Sequence, residues 1–194
     1  TDTITESAGI DTIDFSPTAN IAMTINLGAS QLVNLANLIL NVSTVNVIEN
    51  ATGGSLADTI TGNDLANLLI GGPGADTIDA GKGNDTVSGG AGNDSLDGGK
   101  GTNVLLETVA VGPANVTLTN KNLTDTSANG LGTDTLKGIK GADITGGSRN
   151  DSVDASGFGA GSVSLFGGVG DDSLLGGNKN DVLRGGRNDD TLVG

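Results

Sequence analysis

The chain has 194 residues, a formal net charge of −14, and 34 glycines against only three phenylalanines. Trp, Tyr, Cys and His are absent from the sequence. Few side chains are therefore bulky enough to fill the core of a compact two-layer domain. Disulfides, thiolate metal sites and histidine-based catalytic sites are excluded.

The negative charge comes almost wholly from aspartate, because glutamate occurs only at Glu6, Glu49 and Glu107. Aspartate favours turns, whereas glutamate favours helices. Such a charge repels nucleic acid and anionic membrane surfaces, and no apolar run reaches the length of a membrane-spanning helix. We therefore expect cations as partners, with no nucleic acid and no membrane insertion.

Residues 1–52 carry irregular strand patterns, from which we predict an N-terminal capping β-segment. GIDTIDF (9–15) resembles half of the repeat that follows, and IAMTINL (21–27) alternates as a strand does. Residues 29–40 fit a helix through Leu32, Leu35 and Ile39, while 38–42 also fits a strand. The sequence leaves both interpretations open.

Residues 53–106 consist of six nine-residue units that follow one another without a gap. Their sequences are GGSLADTIT, GNDLANLLI, GGPGADTID, AGKGNDTVS, GGAGNDSLD and GGKGTNVLL. The first six residues of each unit suit a turn, since Gly permits positive φ and Asn and Asp tolerate left-handed geometry. The last three residues suit a short strand, with an aliphatic residue at the eighth place facing inward.

Residues 107–145 form a connector with strand-like pieces such as NVTLTN and DTLKGIKGADIT. We predict that coils continue here with looser spacing, and an antiparallel insertion is the alternative. Residues 146–194 form a second repeat block. It reads GGSRNDSVD, an irregular ASGFGAGSVSLF, and then GGVGDDSLL, GGNKNDVLR and GGRNDDTLV.

The strict period predicts an all-β fold, a parallel β-roll in which two units make one coil of eighteen residues. Stacked coils give two sheets of short parallel strands with the turns in two columns at the edges. Unit n then lies against unit n+2, so Asp76 stacks between Asp58 and Asp94. On the other edge Asp85 stacks between Asn67 and Asn103.

The same stacking applies to the second block. We expect Asp172 to pair with both Asp151 and Asp190, and Asp181 to face Val163 instead of another acid.

Stacked aspartates about 4.8 Å apart repel one another by about 1 kcal/mol in water and about 3 kcal/mol at a protein-surface dielectric. Ca²⁺ accepts six to eight oxygen ligands, and glycine-rich turns expose carbonyl oxygens to it. We therefore predict several Ca²⁺ ions in the turns, with binding and folding as one event.

The nine-residue unit resembles GGxGxDxUx, the calcium-binding repeat of the RTX (repeats-in-toxin) family. This resemblance implies a β-roll with Ca²⁺ in the turns and export by type I secretion. The chain would stay unfolded in low cytosolic calcium and fold as an extracellular or cell-surface protein. The candidate ligand positions in the two blocks are Asp58, Gly72, Gly74, Asp76, Gly81, Gly83, Asp85, Gly90, Gly92, Asp94, Asp151, Gly168, Gly170, Asp172, Gly177, Asp181, Gly186 and Asp190.

Two kinds of departure from the repeat affect the expected sites. Asn67 and Asn103 replace the aspartate, so the edge through Asp85 should bind more weakly than the other edge. Arg149, Lys179 and Asn188 take the place of the fourth-position glycine, which would put side chains into the turn conformation and two cations near the ions.

Five further aspartates are predicted to be solvated. Asp79, Asp97 and Asp154 stand at the ninth place, at the ends of strands, and Asp171 and Asp189 precede the ligand position. No EF-hand loop is present, because no Glu stands at the twelfth place.

The alternative function is an adhesin or ice-binding surface on the same scaffold. Thr59, Thr77, Thr86 and Ser95 form a partial outward row, which Leu68 interrupts. We expect instead a monomeric, non-enzymatic structural module attached to other domains of a longer chain, since the sequence begins at Thr1 without Met or a signal peptide.

Overall fold

The structure is a computed structural model of the chain. It describes residues 2–4, 9–29, 31–35, 38–42, 47–109, 112–127 and 130–194.

Every regular element in these ranges is a β-strand, and no described segment forms a helix long and apolar enough to cross a membrane. The strands in chain order are β1 (Asp2–Ile4), β2 (Thr12–Asp14), β3 (Thr24–Asn26), β4 (Gln31–Leu35), β5 (Leu38–Val42), β6 (Asn50–Thr52), β7 (Thr59–Thr61), β8 (Leu68–Ile70), β9 (Thr77–Asp79), β10 (Thr86–Ser88), β11 (Ser95–Asp97), β12 (Asn103–Thr108), β13 (Asn115–Thr119), β14 (Asn122–Asp125), β15 (Thr133–Lys137), β16 (Ile139–Thr145), β17 (Ser152–Gly157), β18 (Val163–Val169), β19 (Ser173–Leu175), β20 (Val182–Arg187) and β21 (Thr191–Val193).

Two mostly parallel sheets contain these strands, as the repeat period predicts. The large sheet has 13 strands in the order β1-β5-β4-β3-β7-β9-β11-β15-β14-β13-β17-β19-β21. The small sheet has eight in the order β2-β6-β8-β10-β12-β16-β18-β20. In the first block the partners are eighteen residues apart, for example Ile60 with Ile78 and Leu69 with Val87. The predicted parallel β-roll is confirmed.

The core between the sheets is formed by the eighth residue of each unit. In the first block these side chains are at most 1% exposed: Ile60, Leu69, Ile78, Val87, Leu96 and Leu105. Leu165 and Leu174 continue the core in the second block, whereas Leu192 in the last strand is 44% exposed. One apolar residue in nine therefore fills a narrow interior, with glycine and polar residues at its edges.

Residues 31–35 and 38–42 are strands, so the helical interpretation is wrong for these described parts of the segment 29–40. β4 pairs antiparallel with both β3 and β5, and β5 pairs parallel with β1. The two extra strands widen the large sheet without interrupting it.

The connector 107–145 combines both of the predicted alternatives. In the small sheet β12 and β16 continue the parallel pairing. In the large sheet β13, β14 and β15 form an antiparallel insertion, and β13 then pairs parallel with β17 of the second block. Leu118 and Leu123 of the insertion are fully buried. Both sheets therefore run continuously from one repeat block into the next.

The outward row of hydroxyl groups differs from the predicted one. Leu68 and Thr86 pair with each other in the small sheet, so neither belongs to the row on the large sheet. The row on the large sheet is uninterrupted and exposed: Thr24, Thr59, Thr77, Ser95 and Thr135 are successive partners.

Candidate calcium-binding turns

Aspartates at the sixth place of the units form a column along the edge of the roll that leads into the large sheet. One carboxylate oxygen, Oδ1, of each accepts a hydrogen bond from the backbone of the coil before it. Asp58 N donates to Asp76 at 2.7 Å, Asp76 N to Asp94 at 2.8 Å, and Asp94 N to Asp134 at 2.9 Å. The predicted stacking of Asp58, Asp76 and Asp94 is confirmed.

The edge that leads into the small sheet has the predicted mixed column. Asn67 N donates to Asp85 Oδ1 at 2.9 Å, and Asp85 N donates to Asn103 Oδ1 at 2.9 Å. The carboxylate of Asp85 thus lies between two amides.

The second block repeats this pattern with the predicted partners. Asp151 N donates to Asp172 Oδ1 at 2.8 Å, and Asp172 N donates to Asp190 Oδ1 at 3.0 Å. Asp181 accepts its bond from Val163 N at 2.9 Å, so it has no acidic neighbour on that side.

Asp134 was missed in the sequence although the signal was present. Residues 130–136 read GLGTDTL, which has the glycines, aspartate and aliphatic residue of the repeat unit. The insertion β13–β14 displaces this unit, so Asp134 follows its stacking partner Asp94 by 40 residues, whereas Asp94 follows Asp76 by 18. It therefore falls outside the nine-residue register.

The second carboxylate oxygens, Oδ2, are the unusual feature of these columns. Five of them are buried without a hydrogen-bond partner: those of Asp76, Asp85, Asp94, Asp134 and Asp172. The five side chains are at most 3% exposed. A buried acceptor without a partner loses its solvation, which costs about 1–3 kcal/mol and more when charged. Such oxygens are expected where an ion completes the site.

Burial makes the charge on these carboxylates unfavourable in the ion-free chain. It raises the pKa of Asp76 to about 6 and that of Asp134 to about 7, with the neighbouring acids adding to both shifts. Burial also raises the pKa of Asp85, Asp94 and Asp172.

Asp125 in the insertion shows the opposite case. Burial opposes its charge, but backbone N–H groups of Ser127, Asn115 and Leu131 donate to its two oxygens and lower its pKa. Its carboxylate is satisfied by the protein alone.

A backbone carbonyl oxygen lies beside the unpartnered carboxylate oxygen of Asp76. A Cβ added to Gly71 would lie 2.7 Å from the carbonyl oxygen of Gly89, in the next coil, and closer still to Asp76 Oδ2. A carboxylate oxygen and a carbonyl oxygen from two stacked turns therefore lie near one glycine, and both are ligands that Ca²⁺ accepts.

Asn103 occupies the equivalent place with an amide. Its Nδ2 donates to the carbonyl oxygen of Gly98 and, at 3.1 Å, to that of Gly138 in the stacked turn. A positively polarised N–H group thus fills the position that a cation would take in the aspartate turns. The residues present fit Ca²⁺.

Glycine allows adjacent turns to approach closely. Gly72 has φ 108° and Gly74 has φ 155°, and a Cβ on Gly72 would lie 2.5 Å from the carbonyl oxygen of Gly54 in the coil before. The other predicted glycines with positive φ are Gly81, Gly83, Gly90, Gly92, Gly168, Gly170 and Gly186. Gly177 does not have this conformation.

The turns without glycine at the fourth place differ from our expectation. Among the described residues, Asn188 is the one non-glycine residue with positive φ, at 81°. Arg149 and Lys179 do not adopt the turn conformation, because a residue with Cβ avoids positive φ. The backbone conformation of these two turns therefore differs from that of the turns with glycine at the fourth place.

The fifth place forms a second ladder, which the sequence did not indicate. Thr102 N donates to Asn84 Oδ1 at 2.9 Å, and Thr133 N donates to Asn93 Oδ1 at 2.8 Å. Asp189 N donates to Asp171 Oδ1 in the same way at 3.1 Å. Asp171 and Asp189 are exposed as predicted, but Asp171 also connects two stacked turns.

The ninth-place acids close local turns. Asp79, Asp97 and Asp154 each accept a hydrogen bond from the backbone N–H two residues later. Asp97 also forms an ion pair with Lys137. They lie on strand ends away from the carboxylate columns.

Among the described residues no group of three acidic side chains converges on one point. The candidate sites instead combine carboxylates from stacked turns with main-chain carbonyl oxygens.

Comparison with known proteins agrees with this geometry. The family model for the RTX calcium-binding nonapeptide repeat, in four copies, matches residues 52–87, 70–105 and 159–194. These repeats belong to the RTX calcium-binding family. RTX repeats bind Ca²⁺, and their number implies several ions. No curated protein matches the chain.

Glu107 marks the point where the regular RTX coil gives way to the insertion. It is 1% exposed; its Oε1 accepts a hydrogen bond from Gly89 N at 2.8 Å, and its Oε2 accepts one from Ser88 Oγ at 3.2 Å. Burial raises the pKa of Glu107 to about 8, with the charges of Asp134 and Asp94 adding to the shift.

We expect the Glu107→Gln variant to become more stable than the parent as pH rises. The pKa of Glu107 is higher in the folded than in the unfolded chain. The stability that Glu107 contributes is therefore fully present below its ordinary pKa of 4.5 and is lost as pH rises through about 8. Thermal unfolding at saturating calcium should show a Tm difference that grows by several degrees between about pH 5 and pH 8. A difference independent of pH would contradict the assignment.

Proposed function

We propose that this chain is a calcium-dependent folding module of a secreted protein, in which Ca²⁺ orders the β-roll after export. The observation that carries the proposal is the row of buried aspartate Oδ2 atoms without hydrogen-bond partners. Because each lies in a turn stacked on another turn, one ion can serve residues from two coils. Binding in one turn then favours the next.

Each part of the repeat has its own task in this proposal. The sixth-place aspartates Asp76, Asp85, Asp94, Asp134 and Asp172 supply charge. Glycines at the first, second and fourth places let carbonyl oxygens approach the same points. When bound, Ca²⁺ supplies the positive charge between stacked carboxylates. The inward aliphatic residues then pack one coil onto the next.

The proposed place of action is outside the cell. RTX repeats are typical of secreted bacterial proteins, and type I secretion of an unfolded chain suits a fold that forms only at high calcium. We further propose that the module is monomeric, has no catalytic role and is joined to other domains of a longer chain. The chain has neither His nor Cys for a catalytic site.

We expect the ion-free chain to be largely disordered and the calcium-loaded chain to be folded. Circular dichroism in EDTA and again in millimolar Ca²⁺ measures this directly. The β signal and the melting temperature should both rise on calcium addition, because the ions remove the repulsion in the columns and bind only the folded state. Identical spectra and melting temperatures would contradict the proposal.

The matched variants for this titration are Asp76→Ala and Asp79→Ala, three residues apart. Asp76 Oδ2 is buried and unpartnered, whereas Asp79 is exposed and closes a local turn. Asp76→Ala should raise the calcium midpoint more than Asp79→Ala does. Equal shifts of the calcium midpoint in the two variants would show that Asp76 is not a ligand.

A second candidate function is binding of an ordered hydrogen-bonding surface, such as ice, by the large sheet. The observation in its favour is the uninterrupted exposed row Thr24, Thr59, Thr77, Ser95 and Thr135. Parallel pairing spaces these hydroxyl groups regularly, about 4.8 Å apart.

Thermal hysteresis of the calcium-loaded chain tests this second candidate. Thr77→Lys should abolish the activity, because it places a long charged side chain in the middle of the row. Thr86→Lys, at the same place of a unit in the small sheet, should retain it. If the parent chain shows no thermal hysteresis, ice binding is excluded.

A further inference from the structure

The turns of the ten complete repeat units are of two kinds, which differ in backbone conformation. We call open turns those with positive φ at both the second and the fourth place, and closed turns those with positive φ at neither. The open turns are 71–76, 80–85, 89–94, 98–103, 167–172 and 185–190. The closed turns are 53–58, 62–67, 146–151 and 176–181.

In every closed turn the backbone N–H of the second residue donates to the sixth-place side chain of the same turn. Gly54 N donates to Asp58 Oδ2 at 2.5 Å. The equivalent bonds run from Gly147 N to Asp151 Oδ2 at 2.6 Å, from Gly177 N to Asp181 Oδ2 at 2.8 Å, and from Asn63 N to Asn67 Oδ1 at 2.9 Å.

The three closed-turn aspartates therefore have both carboxylate oxygens satisfied by the backbone. Asp58 Oδ1 accepts from Met23 N at 2.6 Å, Asp151 Oδ1 from Ala114 N at 2.6 Å, and Asp181 Oδ1 from Val163 N. Nothing in these turns requires an ion to complete the carboxylate.

In the first two open turns the N–H group of the second residue donates to an acceptor outside its own turn. Gly72 N donates to the carbonyl oxygen of Gly89 at 3.0 Å, and Gly81 N donates to Asp79 Oδ1 at 3.2 Å. Four of the six open turns keep a sixth-place carboxylate with a buried oxygen that has no partner, those of Asp76, Asp85, Asp94 and Asp172. The other two end at Asn103 and at the half-buried Asp190.

The fourth residue of the turn separates the two kinds. In the closed turns it is Leu56, Leu65, Arg149 or Lys179, all of which avoid positive φ because of their Cβ. In the open turns it is glycine, or Asn188, and Asn tolerates the left-handed region best among residues with a side chain. A leucine, arginine or lysine at the fourth place thus turns the N–H group of the second residue toward the side chain of the sixth residue.

We infer that the fourth residue of each repeat decides whether its aspartate binds Ca²⁺ or caps the turn. Asp58, Asp151 and Asp181 are on this view ion-independent caps, which narrows the ligand set that the repeat pattern predicts. The inference rests on the proposed function.

A closed turn precedes each run of open turns. Closed turns 53–58 and 62–67 precede the first open turn of block one, and 146–151 precedes the first open turn of block two. Asp58 N and Asp151 N donate to the first open-turn aspartates, Asp76 and Asp172. Each run of calcium-dependent turns therefore begins on a turn that needs no ion.

Asp58→Asn and Asp76→Asn in the full chain test the inference, since Asn67 and Asn103 show that the fold accepts Asn at this place. The readouts are the number of bound Ca²⁺ ions by equilibrium dialysis and the calcium midpoint of folding. Asp76→Asn should lose at least one ion and raise the midpoint about tenfold or more. Asp58→Asn should keep the full number of ions, because both oxygens of Asp58 already accept backbone N–H groups.

A second pair of variants tests the role of the fourth residue. Leu56 is 40% exposed, so its replacement disturbs the core little. Leu56→Gly should release the second N–H from Asp58 and add one bound ion, whereas Leu56→Ala, which keeps a Cβ, should add none.

The outcomes separate the inference from the function on which it rests. If Asp58→Asn loses as many ions as Asp76→Asn, or if Leu56→Gly binds no more ions than Leu56→Ala, the inference is wrong and the proposed function stands. If the parent chain binds no calcium at all, the proposed function fails first.

Discussion

The stacked carboxylates that keep one unpartnered oxygen, as those of Asp76, Asp94 and Asp134 do, are the constraint on which this structure depends. Parallel coils place identical residues above one another, so a turn that is acidic once becomes a column of acids. Backbone N–H groups satisfy one oxygen of each of these three carboxylates. The other oxygen is buried without a donor, and a positive group makes that arrangement favourable. Asn103 supplies such a group from within the chain, and we propose that calcium supplies it at the unpartnered carboxylates.

The rest of the fold accommodates these columns. One aliphatic residue per unit forms a thin core that gives limited burial against the entropy of ordering so many glycines. The insertions add antiparallel strands to the large sheet only, and after the second insertion the chain returns Asp134 to the column above Asp94. Continuity of the column is therefore kept even where the sequence period is lost.

The sequence predicts the regular part well because the period itself determines it. A nine-residue repeat with one aliphatic position leaves little choice of register, so the stacking of Asp76 between Asp58 and Asp94 followed directly. Residues 29–40 are undecided in the sequence, since Leu32, Leu35 and Ile39 fit a helix while 38–42 also fits a strand. Pairing of β4 with β3 and β5, and of β5 with β1, decides for strands. Asp134 was missed because an insertion shifted it out of register. The difference between Asp58 and Asp76 follows the fourth residue of the unit, Leu56 or Gly74, but the direction that it gives to the N–H group of the second residue is seen only in the structure.

Location of the ions in crystals of the calcium-loaded chain is the most direct test of the central claim. Anomalous difference maps should show Ca²⁺ beside the Oδ2 atoms of Asp76 and Asp94, between the stacked turns 71–76 and 89–94. Maps with no calcium at these carboxylates, in crystals grown at saturating calcium, would contradict the account.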